Sequence, residues 1–105
     1  MVRRTEIDRY VANLAQEFSP RQVVLFGSYA NGQATDDSDV DLLVILDRVS
    51  DGAEQALEIR RRIPRTFPLD LLVLSRREAN RRLTEEDSFF AAILRDGETV
   101  YEDER

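Results

Sequence analysis

Five consecutive apolar residues, Leu42 to Leu46, follow directly on the triplet Asp39-Val40-Asp41. A run this short and this rich in branched side chains reads as a strand buried on both faces, so residues 39–46 are expected at the centre of a sheet. Side chains two apart in a strand share a face, roughly 6–7 Å apart along the chain. Asp39 and Asp41 therefore present two carboxylates side by side at the mouth of a buried strand. Such a pair is costly unless a cation or a proton neutralises it. A divalent ion is the simplest answer, and hard oxygen ligands favour magnesium or manganese over zinc. Solvated loop carboxylates are the competing reading.

The residue types that are missing narrow the chemistry further. The chain has no histidine and no cysteine, and all fifteen of its basic residues are arginine. A Ser-His-Asp hydrolase, a histidine-ligated zinc site, a thiolate nucleophile, a P-loop lysine and a Schiff-base lysine are all excluded. A net charge of −6 argues against a general nucleic-acid binder. At 105 residues and 42% hydrophobic the chain suits one domain, residues 1–105. No apolar run approaches the ~20 residues of a membrane span, and the charged MVRRTEIDRY start has no signal-like apolar region, so a cytoplasmic protein is expected.

Taken in order, Thr5 and Asp8 suggest a capping box, and Ile7, Tyr10, Val11, Leu14 and Phe18 recur at helical spacing, predicting a helix over 5–17. Val23 to Phe26 reads as a buried strand before Gly27, and residues 31–38 as a loop. Asp51 and Glu54 open a helix expected to turn Ala53, Ala56, Leu57 and Ile63 inward before Pro64 stops it. Leu69 to Leu74 is a third strand, apolar except for Asp70. Ser75 and Glu78 cap a short helix through Leu83. A last helix is expected from Thr84, with Phe89, Phe90, Ile93 and Leu94 on its apolar side and Gly97 as its C-terminal cap. Phe89 and Phe90 are one aromatic more than a single inward stripe needs, so one of them is a candidate for a partner surface. Thr99 to Tyr101 can add an edge strand. The alternation predicts a small α/β fold with a mixed central sheet of three to four strands flanked by helices.

Three features compete as the site. Gly27-Ser28 lets backbone come close to a phosphate and offers a hydroxyl, although taken alone a plain turn is the commoner explanation of the pair. Asp37, Asp39 and Asp41 mimic the start of a calcium loop, but its sixth position is Leu42 rather than Gly and its twelfth is Arg48 rather than Glu. Asp39 and Asp41 are preferred to Asp36 and Asp37 because they abut the buried run. Asp70, alone in an apolar strand, is expensive unless it meets a cation. If its strand lies beside the second one, it completes a three-carboxylate cluster suited to two-metal phosphoryl chemistry, with Ser28 binding phosphate.

Gly27-Ser28, ten intervening residues, Asp39-Val40-Asp41 and a later Asp70 resemble the polymerase-beta-type nucleotidyltransferase superfamily, and in length and layout its minimal nucleotidyltransferase (MNT) branch. The resemblance implies that Asp39 and Asp41 bind Mg2+, that two ions act, and that Asp70 helps place the metal and activates the acceptor hydroxyl. Gly27 and Ser28 would hold the triphosphate of ATP. Members of the branch are commonly paired with a helical HEPN protein as toxin and antitoxin, and some silence the toxin by adenylylating a tyrosine. The resemblance therefore implies an adenylyltransferase antitoxin with a HEPN-type partner, with occlusion without catalysis as one alternative and transfer to a small-molecule hydroxyl as another. The last is disfavoured because such enzymes carry a second domain. The position after Ala30, often basic in the family, is Asn31 here.

Overall fold

The computed structural model describes residues 1–104. Its elements are α1 (Arg4–Phe18), β1 (Gln22–Phe26), α2 (Ser28–Asn31), β2 (Val40–Leu46), α3 (Gly52–Arg62), β3 (Leu69–Ser75), α4 (Arg76–Thr84), α5 (Ser88–Asp96) and β4 (Glu98–Glu102). The strands form one mixed sheet in the order β3-β2-β1-β4. The β2 strand pairs antiparallel with β1 and parallel with β3, the parallel pair being joined through α3. The apolar run thus sits between two neighbours, and six of its seven residues are buried, as its composition requires.

Alternation along β2 divides the core. Val40, Leu42, Val44 and Leu46 meet Ile7, Tyr10, Val11 and Leu14 of α1 and Ile59 of α3 on one face. Leu43 and Ile45 meet Ala79 of α4 and Phe90 and Ile93 of α5 on the other. The result is a sheet covered on both sides, with α1 and α3 opposite α4 and α5. Among the described residues no helix is long and apolar enough to cross a membrane.

Several local expectations are corrected. The first helix begins at Arg4, because the Glu6 carboxylate accepts the Arg3 N–H at 2.9 Å; Asp8 pairs with Arg4 instead of closing a box with Thr5. Helix α3 starts at Gly52 behind Asp51, which caps it as expected by accepting the Ala53 and Glu54 N–H groups, but it turns Ile59 and Ile63 inward while Ala53 and Leu57 face outward. Thr84 ends α4 rather than starting a helix: its hydroxyl donates to the Asn80 carbonyl, Glu86 takes a positive φ, and Asp87 caps α5 by accepting the Phe90 N–H at 3.0 Å. Gly97 is the C-terminal cap of α5 as expected, its N–H donating to the Ile93 carbonyl at 2.8 Å, but in an extended rather than a left-handed conformation. Its role is close approach, since a Cβ there would lie 2.5 Å from the Ile93 carbonyl oxygen and 2.7 Å from Val24 Cγ1.

Of the two adjacent aromatics, Phe90 is fully buried and Phe89 is 60% exposed. We expect Leu57→Gln and Phe89→Ser to leave stability within about 0.5 kcal/mol of the parent, whereas Ile59→Val should cost about 1 kcal/mol. Urea denaturation of the three variants checks the phase of both helices.

Candidate active site

Antiparallel pairing brings the end of β1 to the start of β2, with Phe26 opposite Asp41. Parallel pairing then sets Asp41 opposite Asp70. Register partners project to the same face, so Phe26, Asp41 and Asp70 form one row across three strands. That row lies on the face covered by α4 and α5. The cover closes over Val24, Leu43, Ile45 and Leu74 but leaves Phe26 and Leu72 half-exposed. The carboxylates therefore stand at the uncovered end of the sheet, open to a ligand. Phe26 and Leu72 were not singled out from the sequence; their signal was only that they share a face with Asp41 and Asp70 by two-residue alternation.

Gly27 follows Phe26 and is packed against Asp41. Its φ is +74° and its ψ −152°, a combination open essentially to glycine alone. A Cβ placed on it would lie 2.2 Å from Asp41 Oδ2. The residue must be glycine both for its backbone and for the carboxylate beside it. It leads into the short helix α2, an element the sequence reading had divided between turn and loop. The Ala30 N–H donates to the Gly27 carbonyl at 3.0 Å, which fixes the turn. Ser28 is half-buried at the start of α2.

Asp41 is half-buried, hydrogen-bonded to Asp70 and close enough to Asp39 to feel its charge. Its carboxyl is pushed up to about 6, chiefly by burial, then by the charge of Asp70, the hydrogen bond to Asp70 and the charge of Asp39. Asp39 and Asp70 are exposed. Among the described residues no three acidic side chains are grouped so as to hold a metal ion. The three-carboxylate cluster expected once β3 lay beside β2 is therefore not formed: Asp39 stands outside the strand that carries Asp41. Asp41 and Asp70 share a hydrogen bond instead, and Asp39 stands at the exposed approach to β2, one residue before the strand begins. Asp41 and Asp70 are the part of this set that suits a divalent ion, because the crowding that raises the Asp41 pKa is what a cation would relieve.

A carboxyl that binds its proton more tightly folded than unfolded favours the fold below about pH 4. That advantage is lost as pH rises through about 6. Asp41→Asn, which has no charge to acquire, should flatten the fall in stability between pH 4 and pH 7. With solvent screening of a half-exposed group, the variant should be more stable than the parent by about 1 kcal/mol at pH 7 and equal to it at pH 4. Urea denaturation at both pH values, without added metal, checks this.

A cleft of about 550 Å3 lined by Gly52, Ala56, Leu71, Leu72, Glu78 and Arg82 runs along β3. Its charged groups are paired with one another, Arg82 to Glu78 at 3.2 Å, and none of Gly27, Asp39, Asp41 and Asp70 lines it, so the row remains the better candidate.

Comparison with known proteins agrees with the geometry. The sequence profile of the family described as "Polymerase beta, Nucleotidyltransferase" matches residues 9–105. No curated protein sequence matches the chain significantly. The crystal structure of a candidate nucleotidyltransferase from Sulfolobus solfataricus superposes with a TM-score of 0.67 at 22% identity, covering 96% of this chain and 81% of that one. At that identity the likeness is one of fold: a four-stranded mixed sheet flanked by helices, as expected from the sequence. A family profile that spans nearly the whole chain, with a fold shared by a solved structure, makes this protein a member of the polymerase-beta-type nucleotidyltransferase family, with a domain of the MNT type.

Proposed function

We propose that the chain is a divalent-metal-dependent nucleotidyltransferase that moves a nucleoside monophosphate from a triphosphate, ATP by family likeness, onto a hydroxyl of a partner protein. The observation that carries this reading is the register that sets Asp41 opposite Asp70 with Gly27 packed against Asp41. Mg2+ held by Asp39, Asp41 and Asp70 would supply charge neutralisation at the phosphates and at the leaving group. Gly27 and Ser28 hold the triphosphate, with the glycine allowing backbone and phosphate to approach. Asp70, the exposed member of the bonded pair, takes the proton of the acceptor hydroxyl. The acceptor oxygen then forms a bond to the α-phosphorus, the bond from that phosphorus to the bridging oxygen breaks, and pyrophosphate leaves.

The acceptor we propose is a tyrosine of a helical HEPN-type toxin, so that the chain acts as an antitoxin. Family resemblance supports this, and so does the exposure of Asp39 and Asp70 at the uncovered end of the sheet. A second reading, silencing by binding alone, is favoured by the exposed Phe89, an apolar residue on a chain of net charge −6. Both readings predict a complex with a helical partner.

Ligand-dependent stability tests the metal assignment. Mg2+ together with ATP should raise the melting temperature of the parent by mass action. Asp39→Asn should abolish that gain while keeping the fold. An unchanged gain in the variant would place the metal elsewhere.

A further inference from the structure

The segment that delivers Asp70 is held with unusual thoroughness. Three successive carbonyls precede this residue, and each is taken by a different part of the chain. Arg65 Nη1 donates to the Phe67 carbonyl at 3.0 Å. The Val40 N–H, one residue before Asp41, donates to the Pro68 carbonyl at 2.9 Å. Arg60 Nη2 donates to the Leu69 carbonyl at 2.6 Å. The Phe67 side chain is buried below them, edge-on to the Tyr10 ring with centroids 5.8 Å apart. Both guanidiniums are near enough to Tyr10 for their charges to oppose the rise that burial gives its phenol pKa.

The need for such a hold follows from topology. Antiparallel neighbours are registered by a tight turn, but β2 and β3 are parallel and joined through a helix. No turn fixes how far along β2 the third strand begins. A slip of one residue would carry Asp70 to the opposite face of the sheet, and a smaller shift would separate it from Asp41. Arg62, two residues from Arg60, spends its guanidinium on Glu17 and Glu58 at the surface. Arg60 is half-buried and turns inward to the backbone, where a charge-assisted hydrogen bond is strong.

We propose that Arg60, seconded by Arg65, is a positioning residue of the active site that holds the start of β3 so that Asp70 meets Asp41. The inference rests on the nucleotidyltransferase reading for its functional consequence, and on geometry alone for its structural one. Arginine is required rather than any cation, because a planar fork at the end of a long stem both reaches the Leu69 carbonyl and is fixed in direction.

Two measurements on Arg60→Met, which keeps the apolar stem, decide the matter. Amide hydrogen exchange without ligand should be at least tenfold faster at residues 70–72, with α1 and the β1–β4 pair unchanged. Affinity for Mn2+·ATP should fall about tenfold in the parent background and not fall further in an Asp70→Asn background, because Arg60 acts through Asp70. Arg60→Lys should recover part of both effects. Unchanged exchange at 70–72 would overturn the proposal, as would an equal loss of affinity with and without Asp70. If the parent itself does not bind Mn2+·ATP, the nucleotidyltransferase reading fails, and the exchange measurement still decides whether Arg60 holds the strand. Should Arg60→Met not fold, Arg60→Gln, whose amide falls short of the carbonyl, takes the same two measurements.

Discussion

Gly27→Ala should lose about 2–4 kcal/mol of stability and all measurable gain in melting temperature from Mg2+ and ATP. Two independent costs converge on this one methyl group. The backbone at Gly27 has φ +74° and ψ −152°, a region that residues with a Cβ occupy only at a cost of about 1–3 kcal/mol. The added Cβ would also lie 2.2 Å from Asp41 Oδ2, so the carboxylate must move or the turn must open. Asp41 cannot retreat freely, since its strand is buried on either side of the sheet. Either response separates the Gly-Ser turn from the carboxylate row, and binding is lost along with stability. For a domain of this size the stability loss corresponds to a fall in melting temperature of at least about 8 °C. Calorimetry with and without Mg2+ and ATP reads both effects; retention of the ligand shift in a destabilised variant would show that the turn does not hold the triphosphate.

Asp70→Asn should lower nucleotidyl transfer about 10^3-fold while lowering nucleotide affinity only about tenfold, the same loss of affinity expected of Arg60→Met. A group that accepts a proton in the transition state contributes roughly 10^2 to 10^4 in rate. Binding draws more on Gly27, Ser28, Asp39 and Asp41, which the substitution leaves in place. The amide keeps the shape of the carboxyl and can still donate to Asp41, so folding should be intact. The variant also separates the two ways of silencing a partner. If it still neutralises the proposed partner fully in cells, binding alone suffices. If protection and labelling vanish together while the complex persists, transfer is the mechanism.

The central strand, its depth in the sheet and the placing of Asp39 and Asp41 at its mouth were legible because they depend on local pattern: five apolar residues behind a spaced acidic pair. The meeting of Asp41 with Asp70 was legible only conditionally, because nothing in a sequence states which strands are neighbours or in what register. Helix interiors were read less well. Leu57 and Ile59 exchanged roles although Asp51 opens the helix as expected, because two residues lie about 200° apart around a helix and packing on the sheet, not the cap, selects the inward side. The break between α4 and α5 was misplaced because Thr84 and its three acids look like a helix start, yet Asp87 makes the cap and Glu86 takes the left-handed turn. Arg60 left no signal at all. A guanidinium bound to a backbone carbonyl nine residues on answers to no periodicity or motif.

The most direct test of the account is transfer of label from an α-labelled nucleoside triphosphate. The purified chain, with Mg2+ and its co-purified helical partner, should move label from α-labelled ATP onto a hydroxyl of that partner and release unlabelled pyrophosphate, and Asp41→Asn should abolish the transfer. Absence of label on any protein, with each of the four ribonucleotides and with Mg2+ or Mn2+, would contradict the enzymatic reading and leave Asp39, Asp41 and Asp70 as a remnant of the family's site.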